Sequence, residues 1–281
     1  MSASPDYSAW IGRRTTATDE ATRWPVEALA ATLDVTNPAP RKGDAMPPGW
    51  HWLYFLEAKP ASELGADGHP RRGDFLPPVT LPRRMWAGGR LAFHEPLRVC
   101  DELEKNSEIV SVSEKTGKTG ALVFVTVRHT ITANGKLAVV EDHDIVYREA
   151  AKAGDAPAQS RQAATNATWR REVAPDPVLL FRFSALTFNG HRIHYDLDYV
   201  RDEEHYPGLI VHGPLQTMLM LELCRAHGPR PVKKLDYRAQ HPVFHTERFT
   251  VNGNPDATGT RAEVWTANAA GAYAMTGIAE F

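Results

Sequence analysis

Between positions 181 and 215 the chain reads FRFSALTFNGHRIHYDLDYVRDEEHYPGLIVHGPL, and Thr187, Asn189, His191, Arg192 and His194 fall within eight positions of it. Asp196 follows, and a charged loop leads into Gly208-Leu-Ile-Val-His-Gly-Pro-Leu215. His194 stands five residues after Asn189 in a glycine-containing turn, and an imidazole near neutral pH both takes and gives a proton. The Asn189 carboxamide orients water but cannot accept a proton as a carboxylate does. The next segment, Gln216 to Cys224 (QTMLMLELC), is apolar enough to be a buried helix. Pro214 suits its first turn, where the N–H that proline lacks would be an orphan anyway. The helix therefore starts near His212 or Gly213, with free N–H groups and its positive dipole end facing the turn at 189–194. A carbonyl oxygen that gains negative charge can be held there.

These residues resemble the signature of the MaoC-like, or hydratase 2, hotdog enzymes. In that signature an acidic residue precedes a histidine by five positions, and an Ile/Val-(Ala/Val)-His-Gly helix start follows. Asn189 occupies the aspartate position, His194 the histidine position and Ile210-Val-His-Gly213 the helix start. The phrase SALTFNGHRIHYD is similar to the type 2 hydroxyacyl-thioester dehydratase branch, and within it to the mesaconyl-C4-CoA (3-methylfumaryl-CoA) and itaconyl-CoA hydratases. GADGHP and FLPPVTLPRRMWAGG resemble the N-terminal half of that branch.

The resemblance implies a hydro-lyase that adds water to an unsaturated, methyl-branched dicarboxylyl-CoA and forms citramalyl-CoA. His194 would take a proton from water as it attacks the β-carbon and return one to the α-carbon, Asn189 would hold that water, and N–H groups near Gly213 would polarise the thioester carbonyl. With Asn189 in place of the acid, His194 carries more of this work, or another acid such as Asp196 helps; Asp196 either orients His194 or caps a turn. Proline is usual in the family where Arg192 stands, so Arg192 either pairs with a substrate carboxylate or points to solvent, and Arg84 is a second candidate. Trp86 and His212 complete the expected substrate-binding set, although His212 also reads as a satisfied helix-start residue. Two alternatives are a (3R)-hydroxyacyl-thioester dehydratase of fatty acyl chains and a non-catalytic acyl-CoA-binding subunit.

Composition narrows the field. The chain has 281 residues, 42% of them hydrophobic, and a net charge of −2, enough for a sizeable core and no sign of a nucleic-acid partner. Cys100 and Cys224 are far apart and read as packing residues. No run of 18 apolar residues occurs and the first residues lack a basic start with an apolar run, so a soluble cytoplasmic protein is expected, monomeric or homodimeric. His191 and His194 are three apart, but without HExxH or a cysteine cluster no metal is expected. GxSxG, GxGxxG and GxxxxGK[ST] are absent, so no cofactor is expected and CoA enters as part of the substrate.

The elements that must position these residues can be read coarsely. Residues 9–34 suggest one or two helices, 36–49 a proline-rich connection, and 50–55 either a strand or a buried helix. The glycine- and proline-rich stretch 60–82 ends in Arg83-Arg-Met-Trp-Ala-Gly-Gly-Arg90, either a wall over an acyl or nucleotide group or an ordinary surface loop. Strands are expected at 108–113, 121–131 and 137–147, the last two joined by a type I′ turn at Asn134-Gly135. The second half should carry strands at 232–237, 248–251, 261–268 and 272–281, with turns at 252–254 and 269–271. An N-terminal unit at 1–150, a linker at 151–166 and a catalytic unit at 167–281 give an α+β class. The resemblance specifies it further as a double hotdog, two units each with a helix wrapped by antiparallel sheet.

Overall fold

Asn134 and Gly135 both take positive φ, 49° and 76°, the geometry that follows the natural twist of a hairpin. They join β4 (Gly120–Ala133) to β5 (Lys136–Arg148), as expected. The computed structural model describes residues 6–35, 39–71, 73–117, 120–149 and 160–281. Most of the expected linker therefore lies outside the described residues.

The remaining strands are β1 (Arg14–Glu20), β2 (Arg83–Phe93), β3 (Glu102–Gly117), β6 (Trp169–Val173), β7 (Lys234–Ala239), β8 (Phe249–Pro255), β9 (Arg261–Ala267) and β10 (Tyr273–Glu280). All ten form one sheet in the order β1-β3-β4-β5-β2-β7-β10-β9-β8-β6. The order β1-β3-β4-β5-β2 is repeated as β6-β8-β9-β10-β7, so each half is the same antiparallel unit, and the two meet where β2 pairs with β7. This is the expected double hotdog.

Glycines make that seam possible. A Cβ on Gly88 would stand 2.4 Å from the Tyr237 carbonyl oxygen, and one on Gly89 would stand 2.7 Å from both the Asp142 carbonyl oxygen and the Tyr237 hydroxyl. The register shift between Trp86 and Gly88 re-aims this strand, as bulges do. The Arg83–Arg90 stretch is thus the central strand of the molecule as well as a cavity wall.

The helices are α1 (Arg23–Thr32), α2 (Pro177–Leu186), α3 (Leu197–Asp202) and α4 (Gly213–His227). Among the described residues only α4 is a long central helix; the first half carries the ten-residue α1 and a 3-10 turn at Trp50–Leu53. Residues Leu215 to Cys224 of α4 are all buried, the condition of a helix enclosed on every side. Its polar members are satisfied: Gln216 accepts from Thr266 Oγ1 at 2.7 Å, and Glu222 accepts from Trp50 Nε1 at 3.1 Å and from Arg225. Leu221 Cδ1 lies where a Cβ of Gly49 would be, 2.6 Å away, so α4 also serves as the floor for the first half.

Three local expectations are corrected. Residues 14–20, read as part of a helix, pair with β3 as an edge strand, because Thr15, Thr16 and Thr18 are β-formers, and their partners Ser107, Asn106 and Glu104 are far along the chain. Residues 50–53 form a 3-10 turn, and 252–254 lie inside β8, where Gly253 leaves room for the Trp169 ring. No helix among the described residues is long and apolar enough to cross a membrane.

Candidate active site

Helix α2 ends in a tight turn. Asp176 caps its start by accepting from Leu179 N, and at its end Asn189 N donates to Ser184 O at 2.8 Å with Phe188 at φ 48°. The Asn189 side chain then accepts the His191 N–H through Oδ1 at 3.0 Å, which also fixes which way its amide points. Asn189 lines the cavity, and its NH2 has no acceptor among the described residues.

His194 follows on a 3-10 turn at Arg192–His194 and is 7% exposed. Its Nδ1 donates to the Ile210 carbonyl at 2.7 Å, while Ile210 N donates to Ile193 O at 2.9 Å, so the turn and the approach to α4 hold each other. A carbonyl cannot donate, so neutral His194 carries its proton on Nδ1 and leaves an Nε2 lone pair for a substrate. Burial pushes its pKa down to about 3 against the opposing pull of the Ile210 carbonyl. It is therefore a neutral base at physiological pH, and its protonated form gives the proton up readily.

His212 lies beneath it, with ring centroids 3.6 Å apart and planes at 18°. It is fully buried, donates or accepts through Nε2 with Ser184 Oγ at 2.8 Å, and does not line the cavity. The expected substrate contact by His212 is thus replaced by a supporting one: it backs the His194 ring. Burial, then the neighbouring His194, holds its pKa well below the ordinary value. Gly213 opens α4 next to this pair, and its N–H has no acceptor among the described residues.

The cavity, about 2510 Å³, runs along the seam between the halves, and its walls include Arg84 and Trp86 of β2 opposite Asn189, His194 and Gly213. Trp86 donates to Tyr237 Oη at 3.0 Å, its ring centroid lies 3.8 Å from that of His143 with the planes tilted by 31°, and a Cβ on Gly213 would stand 3.8 Å from its Cβ. Arg84 is half-buried on the cavity wall and its guanidinium has no ion pair or hydrogen bond among the described residues. Arg192 differs: it is salt-bridged to Asp196 (2.7 Å), donates to Ala66 O (3.0 Å), lies over the Tyr199 ring and does not line the cavity. Its expected role as a carboxylate ligand is corrected to one of holding the first half against the turn. Asp196 caps α3 by accepting from Tyr199 N at 3.0 Å and does not touch His194, so it is the cap rather than the orienting acid.

Sequence reasoning did not place two further groups here. Asp67 and His69, from the first half, line the same cavity beside His191, and ligand-type atoms of the three lie within 4.8 Å of one another. The signal in the sequence is GADGHP, which sets an acid, itself between glycines, two positions before a histidine. A smaller cavity of about 260 Å³ behind Trp86 is lined by His51, Glu141 and Lys105 together with Asn189 and Pro214. Burial disfavours the Glu141 charge, yet the hydrogen bond from His51 at 3.1 Å and the neighbouring histidines bring its pKa down to about 2.

Comparison with known proteins agrees with this architecture. Residues 49–245 match the family described as hydroxyacyl-thioester dehydratase type 2. A Chloroflexus aurantiacus protein named mesaconyl-C(4)-CoA hydratase is 43% identical over 278 residues, covering 99% of each chain. Among solved structures, a MaoC-like dehydratase from Phytophthora capsici superposes with a TM-score of 0.72 at 12% identity, covering 96% of both chains. A Mycobacterium tuberculosis protein described as having a double hotdog fold gives a TM-score of 0.57 at 14% identity and 96% coverage of each. On the family match, the near-complete alignment to the Chloroflexus protein and the shared fold, this chain belongs to the type 2 hydroxyacyl-thioester dehydratase family of hydro-lyases.

Proposed function

We propose that this protein hydrates the double bond of an unsaturated, methyl-branched dicarboxylyl-CoA, mesaconyl-C4-CoA or itaconyl-CoA, to give citramalyl-CoA. The observation that carries the reading is the pairing, in one cavity, of a base, His194, whose Nδ1 is fixed, and a half-buried cation, Arg84, with no ion pair among the described residues. The name of the 43% identical relative supports the substrate class.

For the conjugated substrate, His194 Nε2 takes a proton from water while its oxygen bonds to the β-carbon, and the π electrons move onto the thioester oxygen. The Gly213 N–H at the start of α4 stabilises that oxygen. The enolate then takes a proton at the α-carbon. The Asn189 NH2, whose orientation is set by the His191 N–H bond to Oδ1, donates to the water or the thioester. In mesaconyl-C4-CoA the free carboxylate is bonded to the β-carbon, so the cation that reads it must stand close to His194. Arg84 is the candidate for this role because it lines the same cavity as His194 and its charge is felt at His191, the ring edge-on to His194. The carboxylate and Arg84 form a charge-assisted pair in a partly desolvated site.

Incubation with mesaconyl-C4-CoA, itaconyl-CoA and crotonyl-CoA in turn, with product mass as the readout, tests the reading. Water addition to a dicarboxylyl thioester is expected. Preference for crotonyl-CoA would assign the protein to fatty acyl chains, and no addition to any would leave an acyl-CoA-binding subunit.

A further inference from the structure

The signature motif lacks its acid at Asn189, and a carboxylate from the other half of the molecule, Asp67, lines the same cavity. Residues 64–70 form a tight loop in which Leu64 bridges Pro70, Gly65 N donates to His69 O at 2.7 Å and Gly68 N donates to Gly65 O at 3.0 Å. This loop is locked onto the 189–194 turn. Arg192 N donates to Asp67 O at 2.9 Å, the Arg192 guanidinium to Ala66 O, and Gly68 lies against the Gly190 carbonyl.

The lock sets the loop's side chains in a row leading to His194. Asp67 Oδ2 is 3.0 Å from His69 Nδ1, and Asp67 Oδ1 accepts the His69 N–H. The His69 and His191 rings are 4.1 Å apart, and His191 stands edge-on to His194 at 5.6 Å and 87°. Neither ring nitrogen of His191 is held by a hydrogen bond among the described residues, and Asp67, His69, His191 and His194 all line the one cavity.

We propose that the Asp67–His69 pair is the second acid–base group of this site, returning a proton to the α-carbon through His191. The inference rests on the hydratase reading above. In the step, the water proton goes to His194 as the C–O bond forms. The enolate takes the one N–H proton of neutral His191 as the other ring nitrogen of His191 takes a proton from the His69 imidazolium, so His191 stays neutral throughout; solvent then returns a proton to His69 and removes one from the His194 imidazolium. Asp67 is a positioning residue whose charge keeps the proton on His69. It is the one carboxylate in the row. Facing it are the neutral rings of His191 and His194 of the turn and of His212 at the head of α4, the Tyr199 hydroxyl of α3, and the cation Arg84 of β2, whose charge disfavours a proton on His191. Burial would raise the Asp67 pKa, but the His69 hydrogen bond and charge overcome it and hold the carboxyl well below the ordinary range.

The test is the pH dependence of kcat/KM for Asp67→Asn, Asp67→Glu and His69→Gln on whichever of the three thioesters the wild type hydrates. It is combined with an NMR titration of His69 in the free protein. Asp67→Asn should lower kcat/KM by about a hundredfold, the scale of a lost acid–base group, and move the alkaline limb to lower pH. Asp67→Glu should recover part of the rate, and His69 should titrate at lower pH in Asp67→Asn. A uniform loss with an unmoved limb, or an unmoved His69 titration, would overturn the proposal while leaving the hydratase reading standing. Failure of the wild type to hydrate any of the three would overturn both.

Discussion

Gly68 and Gly190 touch backbone to backbone across the two halves of the molecule: a Cβ on Gly68 would stand 2.0 Å from the Gly190 carbonyl oxygen. Gly68 also holds φ +86°, where a side chain is strained by about 1 kcal/mol. Gly68→Ala should therefore open the loop from the turn and lower kcat/KM by about a hundredfold, through misplacement of the acid–base groups. Gly12→Ala, also at φ +86° but with nothing within 4 Å, carries the strain alone and should keep full activity. Steady-state kinetics and melting curves on both variants check this, and equal behaviour of the two would remove the contact as a cause.

His194→Gln should lower kcat on the hydrated thioester by at least about a hundredfold, because no other neutral base in the turn has a nitrogen fixed toward the cavity. Thioester binding should persist, since the glutamine leaves the Gly213 N–H and Arg84 in place. Calorimetric titration of a saturated acyl-CoA analogue separates the two quantities, and retained turnover would move the base elsewhere.

The two arginines should fail differently. Arg84→Ala should raise KM for a dicarboxylyl-CoA by about tenfold to a hundredfold and leave crotonyl-CoA nearly unaffected, the loss of one charge-assisted pair being worth about 1.5–3 kcal/mol. Arg192→Ala should lower kcat and stability together on every substrate, because it releases both Asp196 and the Ala66 carbonyl. A selective KM effect at Arg192 instead would return the carboxylate to that side chain.

Much of this site was legible in the sequence because it is local. Asn189, His194 and Gly213 lie in one segment whose glycines, proline and apolar run each announce a turn or a helix start, and α4 begins at Gly213 as read. What was not legible is what crosses the halves. Nothing in the segment around Arg192 shows that Ala66 and Asp67 meet it from 126 and 125 positions away, so its sequence context suggests a substrate contact that the structure does not make. Asp67 and His69 went unassigned for the same reason. The strand at 83–93 was hidden because its glycines, which look like loop residues, are what allows two strands to close over Tyr237. Edge strand β1 carries no apolar alternation, being almost wholly exposed, so its pairing with β3 leaves no periodic mark.

Acid stability gives a last test, since the site holds several histidines neutral by burial. His143 is pushed down to about 4 and His191 and His194 to about 3, and His129 and His212 are also lowered, with burial the largest cause in each. Unfolded, each would titrate near 6.5. The folded-state values are the depressed ones, so at pH above about 6.5 neither state binds these protons and stability is fully present. Below it the unfolded chain takes up protons that the folded chain refuses. Stability then falls by about 1.4 kcal/mol per pH unit for each histidine until its folded pKa is reached. Glu141, brought down to about 2, adds a loss of the same sign once the pH drops below the ordinary carboxylate value. The urea midpoint should thus be level between pH 7 and 8 and drop steeply between about 6 and 4. His143→Gln should lessen the slope by removing one of these groups. A midpoint that stays level down to pH 4.5 would mean that the rings are solvated or already charged in the folded protein, and the neutral-base assignment of His194 would fall with it.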